Sequence, residues 1–90
     1  MQDFSTALSD LSRRLAEARV YLRVEELTAR RPQLETELAR PDLCDDQGAA
    51  QKIQREFSSI SDDLATYDGL AEAIDDASVL AELAREEGDE

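Results

Sequence analysis

The chain contains no tryptophan and no histidine, and only one of its 90 residues is a cysteine. A single cysteine cannot close an internal disulfide, and without histidine it cannot belong to a Cys/His zinc cluster. Two Phe and two Tyr are the only aromatic residues, so aliphatic helix faces must form most of the core. Three glycines and two prolines, against 36% charged residues, favour long helices over sheet.

Long hydrophobic runs are also absent. No window approaches the roughly 18 apolar residues that a membrane-spanning helix requires. Residues 1–4 do not begin the basic and apolar leader of a secretory signal. We therefore expect a soluble, reduced, cytoplasmic chain with no membrane partner, no small-molecule substrate, no metal and no cofactor.

The net charge of −12 is distributed unevenly. Residues 1–40 hold seven acidic and seven basic side chains, whereas residues 41–90 hold fifteen acidic and three basic ones. An acidic surface repels phosphate groups, so the second half is poorly suited to direct nucleic-acid binding. Its expected partner is a basic protein surface.

The spacing of apolar residues predicts three helices, at about 5–22, 25–39 and 47–86. We expect a break near residues 23–25, because apolar side chains crowd several sides of the helix there. The second helix contains Pro32, which removes a hydrogen bond and clashes with the preceding turn. This helix therefore either restarts near Arg31 or is kinked there. The first helix has an apolar stripe of Leu8, Leu11, Leu15, Ala18 and Leu22.

The third predicted helix carries a four-three repeat that is typical of a coiled-coil seam. Beyond this repeat the apolar residues drift to another side of the helix, so its apolar face is expected to rotate toward a different neighbour. The seam consists of Ile53, Phe57, Ile60, Leu64, Tyr67, Ala71 and Ile74. The apolar residues that leave this repeat are Ala77, Leu80, Leu83 and Ala84.

Residues 40–46 predict the turn between the second and third helices. Pro41 pushes Arg40 out of the helical region, so the second helix should end near Ala39. Either of two aspartates then caps the next helix. The predicted fold is all-α, an antiparallel helical hairpin with an additional packed helix, as in a three-helix bundle or coiled coil. The structural turn consists of Pro41, Leu43, Cys44, Asp45 and Asp46, with Leu43 and Cys44 pinning it onto the bundle.

Several strings in this order and spacing resemble the amino-terminal helical domain of the bacterial peptide chain release factor 2 family. The resemblance covers most of residues 22–90 without gaps. In that family, tryptophan typically stands at the position of Cys44, and proline followed by a polar residue at positions 47 and 48, so the turn is expected to pack more loosely here. The strings are Arg40-Pro-Asp-Leu-Cys-Asp-Asp-Gln, Ala49-Ala-Gln-Lys, Glu56-Phe-Ser-Ser, Tyr67-Asp-Gly-Leu and Val79-Leu-Ala-Glu-Leu-Ala-Arg-Glu-Glu-Gly-Asp-Glu.

The resemblance implies a role in translation termination. Complete members read the stop codon with a tripeptide resembling Ser-Pro-Phe and release the peptide with a Gly-Gly-Gln loop, and neither motif occurs in these 90 residues. The chain is therefore expected to be a single, incomplete amino-terminal domain and not an enzyme. In the family, this domain reaches toward the ribosomal stalk base and is implicated in contact with an accessory GTPase. Docking is the implied function.

In the family, a further helix returns along the third and covers its later apolar stripe. That helix is not among these residues. Ile74, Leu80 and Leu83 are therefore expected to be partly exposed, or to be covered by self-association.

Candidate sites are few. Cys44 has no histidine to activate it, so a buried or half-buried packing role is expected. The adjacent aspartate pairs lack the spacing of a calcium loop and are expected to cap helices or face solvent. Four arginines supply the densest positive charge and are candidate contacts to ribosomal RNA. The alternative is that they form ion pairs on the helix surface with Glu17, Glu26 and Glu35. These arginines are Arg13, Arg14, Arg30 and Arg31.

Three functional classes follow. The favoured one is a ribosome-docking domain of a class I release factor. The alternative is a free-standing acidic helical adaptor that binds a basic protein. An enzyme is the least supported class, because the sequence offers no nucleophile with a base, no metal cluster and no phosphate-binding loop.

Overall fold

The structure is a computed structural model that describes residues 4–88. It contains three α-helices, with a 3₁₀ turn at Pro41–Asp45 before the last. α2 and α1 both pack laterally against α3. The predicted all-α hairpin with an additional packed helix is confirmed, and each helix boundary lies within two residues of its predicted position. The helices are α1, Ser5–Tyr21; α2, Val24–Leu38; and α3, Gln47–Gly88.

α1 and α2 lie one after the other along α3. The guanidinium of Arg31, in α2, lies 5.5 Å from the ring centroid of Phe57. The guanidinium of Arg19, in α1, lies 5.8 Å from the ring centroid of Tyr67, further along α3. The molecule measures 68 × 22 × 15 Å, a cross-section suited to two helices of about 10 Å diameter. The hairpin is thus a long rod, two helices thick.

The predicted break between the first two helices is confirmed at Leu22 and Arg23. Arg23 has φ 57° and ψ 48°, a left-handed conformation that residues other than glycine seldom adopt. The chain re-enters a helix at once, because the Leu27 amide donates to the Arg23 carbonyl at 3.0 Å. Two residues therefore interrupt the helix, while α1 and α2 both pack along α3.

α2 runs without interruption through Pro32, so the predicted alternative of a restart near Arg31 is wrong. The proline lacks an amide hydrogen, which removes one hydrogen bond of the helix. Pro32 is exposed, and the hydroxyl of Thr36 donates to its carbonyl oxygen at 3.1 Å. The same helix packs through Leu34, which is fully buried, and this burial offsets the free energy lost with that hydrogen bond.

The core is small and lies where α2 meets α3. Five side chains are buried among the described residues, and Leu34 has no exposed surface. Around them pack partly buried side chains from all three helices: Leu15, Leu22, Leu27, Ile53, Phe57 and Ala71. The five buried side chains are Val24, Leu34, Ile60, Leu64 and Tyr67.

The packed face of α3 differs from the prediction after Ile74. The predicted rotation of the apolar face is wrong, because Ser78 and Ala81 continue the four-three repeat and are half-buried. Leu80 and Leu83 are 67% and 51% exposed. Small side chains fill the seam here, so the positions of the largest apolar residues do not mark the packed face.

Candidate docking surfaces

The turn between α2 and α3 is held by backbone geometry and one cap. Arg40 is extended, with φ −69° and ψ 130°, as expected before Pro41. Asp46 caps α3, because its Oδ1 accepts from the Ala49 amide at 3.0 Å. The structure therefore selects Asp46 over Asp45, the other predicted cap.

Of Leu43 and Cys44, the two side chains predicted to pin the turn onto the bundle, only one packs as expected. Leu43 is half-buried and the turn contacts α3. Cys44 is exposed, so the expected buried or half-buried packing role is wrong. A 3₁₀ turn has about three residues per turn, so neighbouring side chains point about 120° apart. With Leu43 against the helix, Cys44 faces solvent.

Arg13 and Arg14 lie on the exposed surface of α1 and share an acidic partner. Arg13 Nη2 lies 2.6 Å from Asp10 Oδ1, and its Nη1 lies 2.9 Å from Glu17 Oε1. Arg14 Nε lies 3.0 Å from Asp10 Oδ2. The hydrogen bond that Arg13 donates to Asp10 raises the pKa of Arg13, with a further contribution from Glu17. Both arginines keep more than half of their side-chain surface exposed.

Arg30 has a structural role that the sequence did not reveal. Its Nε and Nη2 donate to the two carboxylate oxygens of Glu56, at 3.0 Å and 3.4 Å, across the contact between α2 and α3. This hydrogen bonding lowers the pKa of Glu56 and raises that of Arg30. Glu26, an expected partner of the arginines, instead lies 3.9 Å from Arg23. Arg30 and Glu56 therefore bridge the hairpin.

Arg31 combines two contacts. Its Nε lies 3.8 Å from Glu35, the expected partner, and its guanidinium stacks over Phe57. The contact with Phe57 places Arg31 at the edge of the seam between α2 and α3. Contact of any of the four arginines with RNA stays a prediction.

A second bridge spans the break between α1 and α2. Arg19 Nε donates to Glu25 Oε1 at 2.6 Å while its guanidinium lies over the Tyr67 ring of α3. The hydrogen bond from Arg19 lowers the pKa of Glu25, and Glu25 and then Tyr67 raise the pKa of Arg19. One side chain thus contacts α2 and α3 from α1.

The second half of α3 carries an exposed apolar stripe beside the packed seam. Leu70 is 53% and Leu80 67% exposed, and three alanines that continue the same three-four spacing, two between these leucines and one after them, are also exposed. The expected partial exposure of Ile74, Leu80 and Leu83 is confirmed, with Ile74 the most covered. The sequence contained a signal for this stripe, since a second four-three repeat runs beside the first. We call it the outer stripe; it consists of Leu70, Ala73, Ala77, Leu80 and Ala84.

Within residues 4–88, no three His, Cys, Asp or Glu side chains are grouped so as to hold a metal ion. Over the same range, no helix has the combination of length and apolar character needed to cross a bilayer. The described part of the chain offers ion-paired helix faces, the outer stripe and further exposed apolar side chains, among them Val20 and Tyr21.

Nearly the whole chain is similar to part of curated proteins named peptide chain release factor 2. The protein from Salinispora tropica is 34% identical over 87 residues, which are 97% of this chain and 23% of the relative. The protein from Rhodococcus jostii is 38% identical over 96% of this chain and 23% of the relative. The protein from Streptomyces avermitilis is also 38% identical, over 97% of this chain and 24% of the relative. The chain spans about a quarter of the length of these relatives.

These similarities confirm the resemblance to peptide chain release factor 2 that the sequence indicated. No protein-family model matches the chain. No solved structure matches it at a significant level.

Proposed function

We propose that this chain is a docking domain of a class I translation release factor. In this role it contacts the ribosome near the stalk base, an accessory release GTPase, or both, during stop-codon-dependent termination in the cytoplasm. The chain itself performs no chemistry and reads no codon. The longer factor of which it forms the amino-terminal part supplies both.

The similarity to release factor 2 carries this proposal, because it extends over 94–97% of the chain at 34–38% identity. The shape supports it. A rod 68 Å long with few buried side chains presents much surface for its size and little interior in which to build an enclosed site. The exposed Arg13 and Arg14 are the candidate contacts to ribosomal RNA. Arg30 is less suited, since Glu56 already occupies its guanidinium.

The test is co-sedimentation of the 90-residue chain with ribosomes at low salt. We expect saturable binding that is the same with a stop or a sense codon in the decoding site, because the chain lacks a codon-reading tripeptide. Removing the stalk-base proteins should weaken it. Absence of binding to intact ribosomes at low salt would overturn the docking role.

A matched pair of variants tests the arginines. Arg13→Glu with Arg14→Glu should weaken co-sedimentation, whereas Arg55→Glu with Arg85→Glu changes the net charge equally on α3 and should have a smaller effect. Equal losses from both pairs would assign the effect to net charge and remove Arg13 and Arg14 as specific contacts.

The charge distribution favours a second candidate, a free-standing acidic helical adaptor. Fifteen acidic and three basic side chains in residues 41–90 suit a basic protein partner. The reading frame beyond codon 90 discriminates the two. An open frame encoding Gly-Gly-Gln supports the release factor, and a stop codon directly after Glu90 supports the adaptor.

A further inference from the structure

The link between α1 and α2 aligns two apolar faces that a continuous helix would hold apart. Leu22 is half-buried and Val24 is buried, and both pack in the core cluster. They are two residues apart, which in an uninterrupted α-helix would place their side chains about 160° apart around the axis. The left-handed conformation of Arg23, with φ 57°, turns both faces toward α3. The contact of α1 with α3 therefore depends on the backbone of this one residue.

Arg23 has an alternative conformation that places less strain on its backbone. Residues other than glycine favour the right-handed helical region over the left-handed one. If Arg23 adopted that region, α1 and α2 would become one continuous helix from residue 5 to residue 38. With α2 kept in place on α3, the apolar stripe of α1 would then face away from α3. A relaxed backbone thus competes with the contacts that α1 makes.

The contacts of α1 oppose this change only weakly. No residue of α1 is buried, whereas α2 contributes Val24 and Leu34 to the buried core. The clamp between Arg19 and Glu25 joins two side chains that are 48% and 68% exposed. Ion pairs with such exposure contribute little to stability. The attachment of α1 to α3 is therefore weaker than that of α2.

The position of Val20 suits the alternative packing. Val20 is 76% exposed in the structure. It precedes Val24 by four residues and Leu27 by seven, so a continuous helix would bring it onto the packed face of α2. There it would contact α3, while Leu22 turned to the opposite side. The sequence thus holds an apolar residue for the contact in each arrangement.

We infer that the link at Leu22 and Arg23 is a conformational switch. In the closed form, which the structure shows, Arg23 is left-handed and α1 covers α3. In the open form, Arg23 is right-handed and α1 continues α2. Opening uncovers the apolar stripe of α1, and a partner that binds this stripe would hold the switch open. The inference concerns the link alone and does not depend on docking at the ribosome.

Thiol reactivity measures the opening in the full 90-residue chain. Cys44→Ser first removes the exposed native thiol. Ala71→Cys then places a reporter on the half-buried face of α3 beyond Tyr67, which α1 covers, and its labelling rate follows the open fraction. Ser61→Cys is the matched reporter, because the Ser61 hydroxyl is buried on α3 next to Ile60 of the core cluster. It reports separation of α2 from α3.

Substitutions of the switch residue should move the equilibrium in opposite directions. Arg23→Gly adopts the left-handed conformation without strain, so labelling at position 71 should slow by about fivefold or more. Arg23→Val disfavours that conformation further, because its side chain is β-branched, and should accelerate the same reaction. Labelling at position 61 should be unchanged in both variants. Far-ultraviolet circular dichroism of Arg23→Val should retain the helical signal, since α1 stays helical in the open form.

Val20→Gln provides a test that leaves the backbone of the link unchanged. It alters an exposed residue of the closed form and removes the apolar contact that the open form gains. Labelling at position 71 should therefore slow, as it does for Arg23→Gly. Should Arg23→Val fail to fold, these two variants still test the switch through slower labelling.

Three results would overturn the inference. The first is equal labelling at position 71 for Arg23→Gly, Val20→Gln and the unsubstituted link. The second is an equal change at positions 61 and 71, which would mean that the whole molecule opens. The third is a loss of helical signal in Arg23→Val with unchanged labelling at position 61, which would mean that α1 unfolds. None of the three bears on ribosome co-sedimentation, so failure here and failure of the release-factor role are distinguishable.

Discussion

Truncation of Leu34 tests whether the lateral contact of α2 with α3 holds the molecule together. Leu34 is the one described large side chain with no exposed surface, and it lies in the cluster with Ile60 and Leu64 of α3. Leu→Ala substitutions at such sites cost about 2–5 kcal/mol, because apolar contacts are lost and a cavity remains. With only five buried side chains among the described residues, the chain is expected near the lower end of the usual stability of about 0.05–0.15 kcal/mol per residue, or about 5 kcal/mol in total. The expected loss is therefore comparable to the whole.

Thermal unfolding followed by far-ultraviolet circular dichroism measures the effect. For a domain of this size each kcal/mol corresponds to roughly 4–8 °C, so Leu34→Ala should lower the Tm by at least about 8 °C. Partial unfolding at room temperature is the expected outcome at the upper end of the range. Urea titration provides the free energy at fixed temperature, with a lower midpoint for the variant.

Leu80→Ala is the matched control, because it makes the same chemical change at a side chain that is 67% exposed. Its expected effect on the free energy of unfolding is within about 0.5 kcal/mol. Similar Tm values for the two variants would refute the reasoning. They would mean that the contact of α2 with α3 contributes little and that the helicity arises within each helix separately.

Three further changes probe the helices and their bridges. Gly69→Ala should stabilise the chain by about 1 kcal/mol in urea titration, because an added Cβ meets no atom within 4 Å in the middle of α3. Asp46→Ala should cost about 0.5–2 kcal/mol in the same assay through loss of the helix cap, whereas Asp45→Ala should cost less. Arg30 lowers the pKa of Glu56 below its ordinary value of 4.5, so this carboxylate stabilises the fold above that pH and loses its contribution as the pH falls through the lowered value. Urea midpoints against pH should therefore fall less steeply on acidification for Glu56→Gln than for wild type, and Glu72→Gln on the same helix should follow wild type.

The regular features of this fold were predictable because they depend on short-range spacing. The seam of α3 follows from its four-three repeat, and the turn follows from the backbone restriction that Pro41 imposes. The break at Arg23 was expected from apolar residues that cannot all lie on one side of a single helix. These signals are contained within a few neighbouring residues.

The mispredicted features depend on which side chain meets which partner. Arg30 and Glu56 are 26 residues apart, and nothing in their local sequence marks them as a pair. The packed face of α3 after Ile74 uses Ser78 and Ala81, which a search for large apolar residues passes over. Cys44 was expected to pin the turn onto the bundle together with Leu43, but the phase of the 3₁₀ turn directs it to solvent. The first two misses are tertiary effects, whereas the direction of Cys44 follows from the local geometry of its turn.

The rod shape connects the small core with the exposed outer stripe. Had α1 folded back beside α2, three helices would surround one core and could cover more than one face of α3. Instead, Arg23 directs α1 onward along α3, which extends the seam toward Ala81 and leaves the neighbouring face uncovered. The packed part of α3 therefore has one helical neighbour where a compact bundle would provide two, and the outer stripe lies exposed on the side without one.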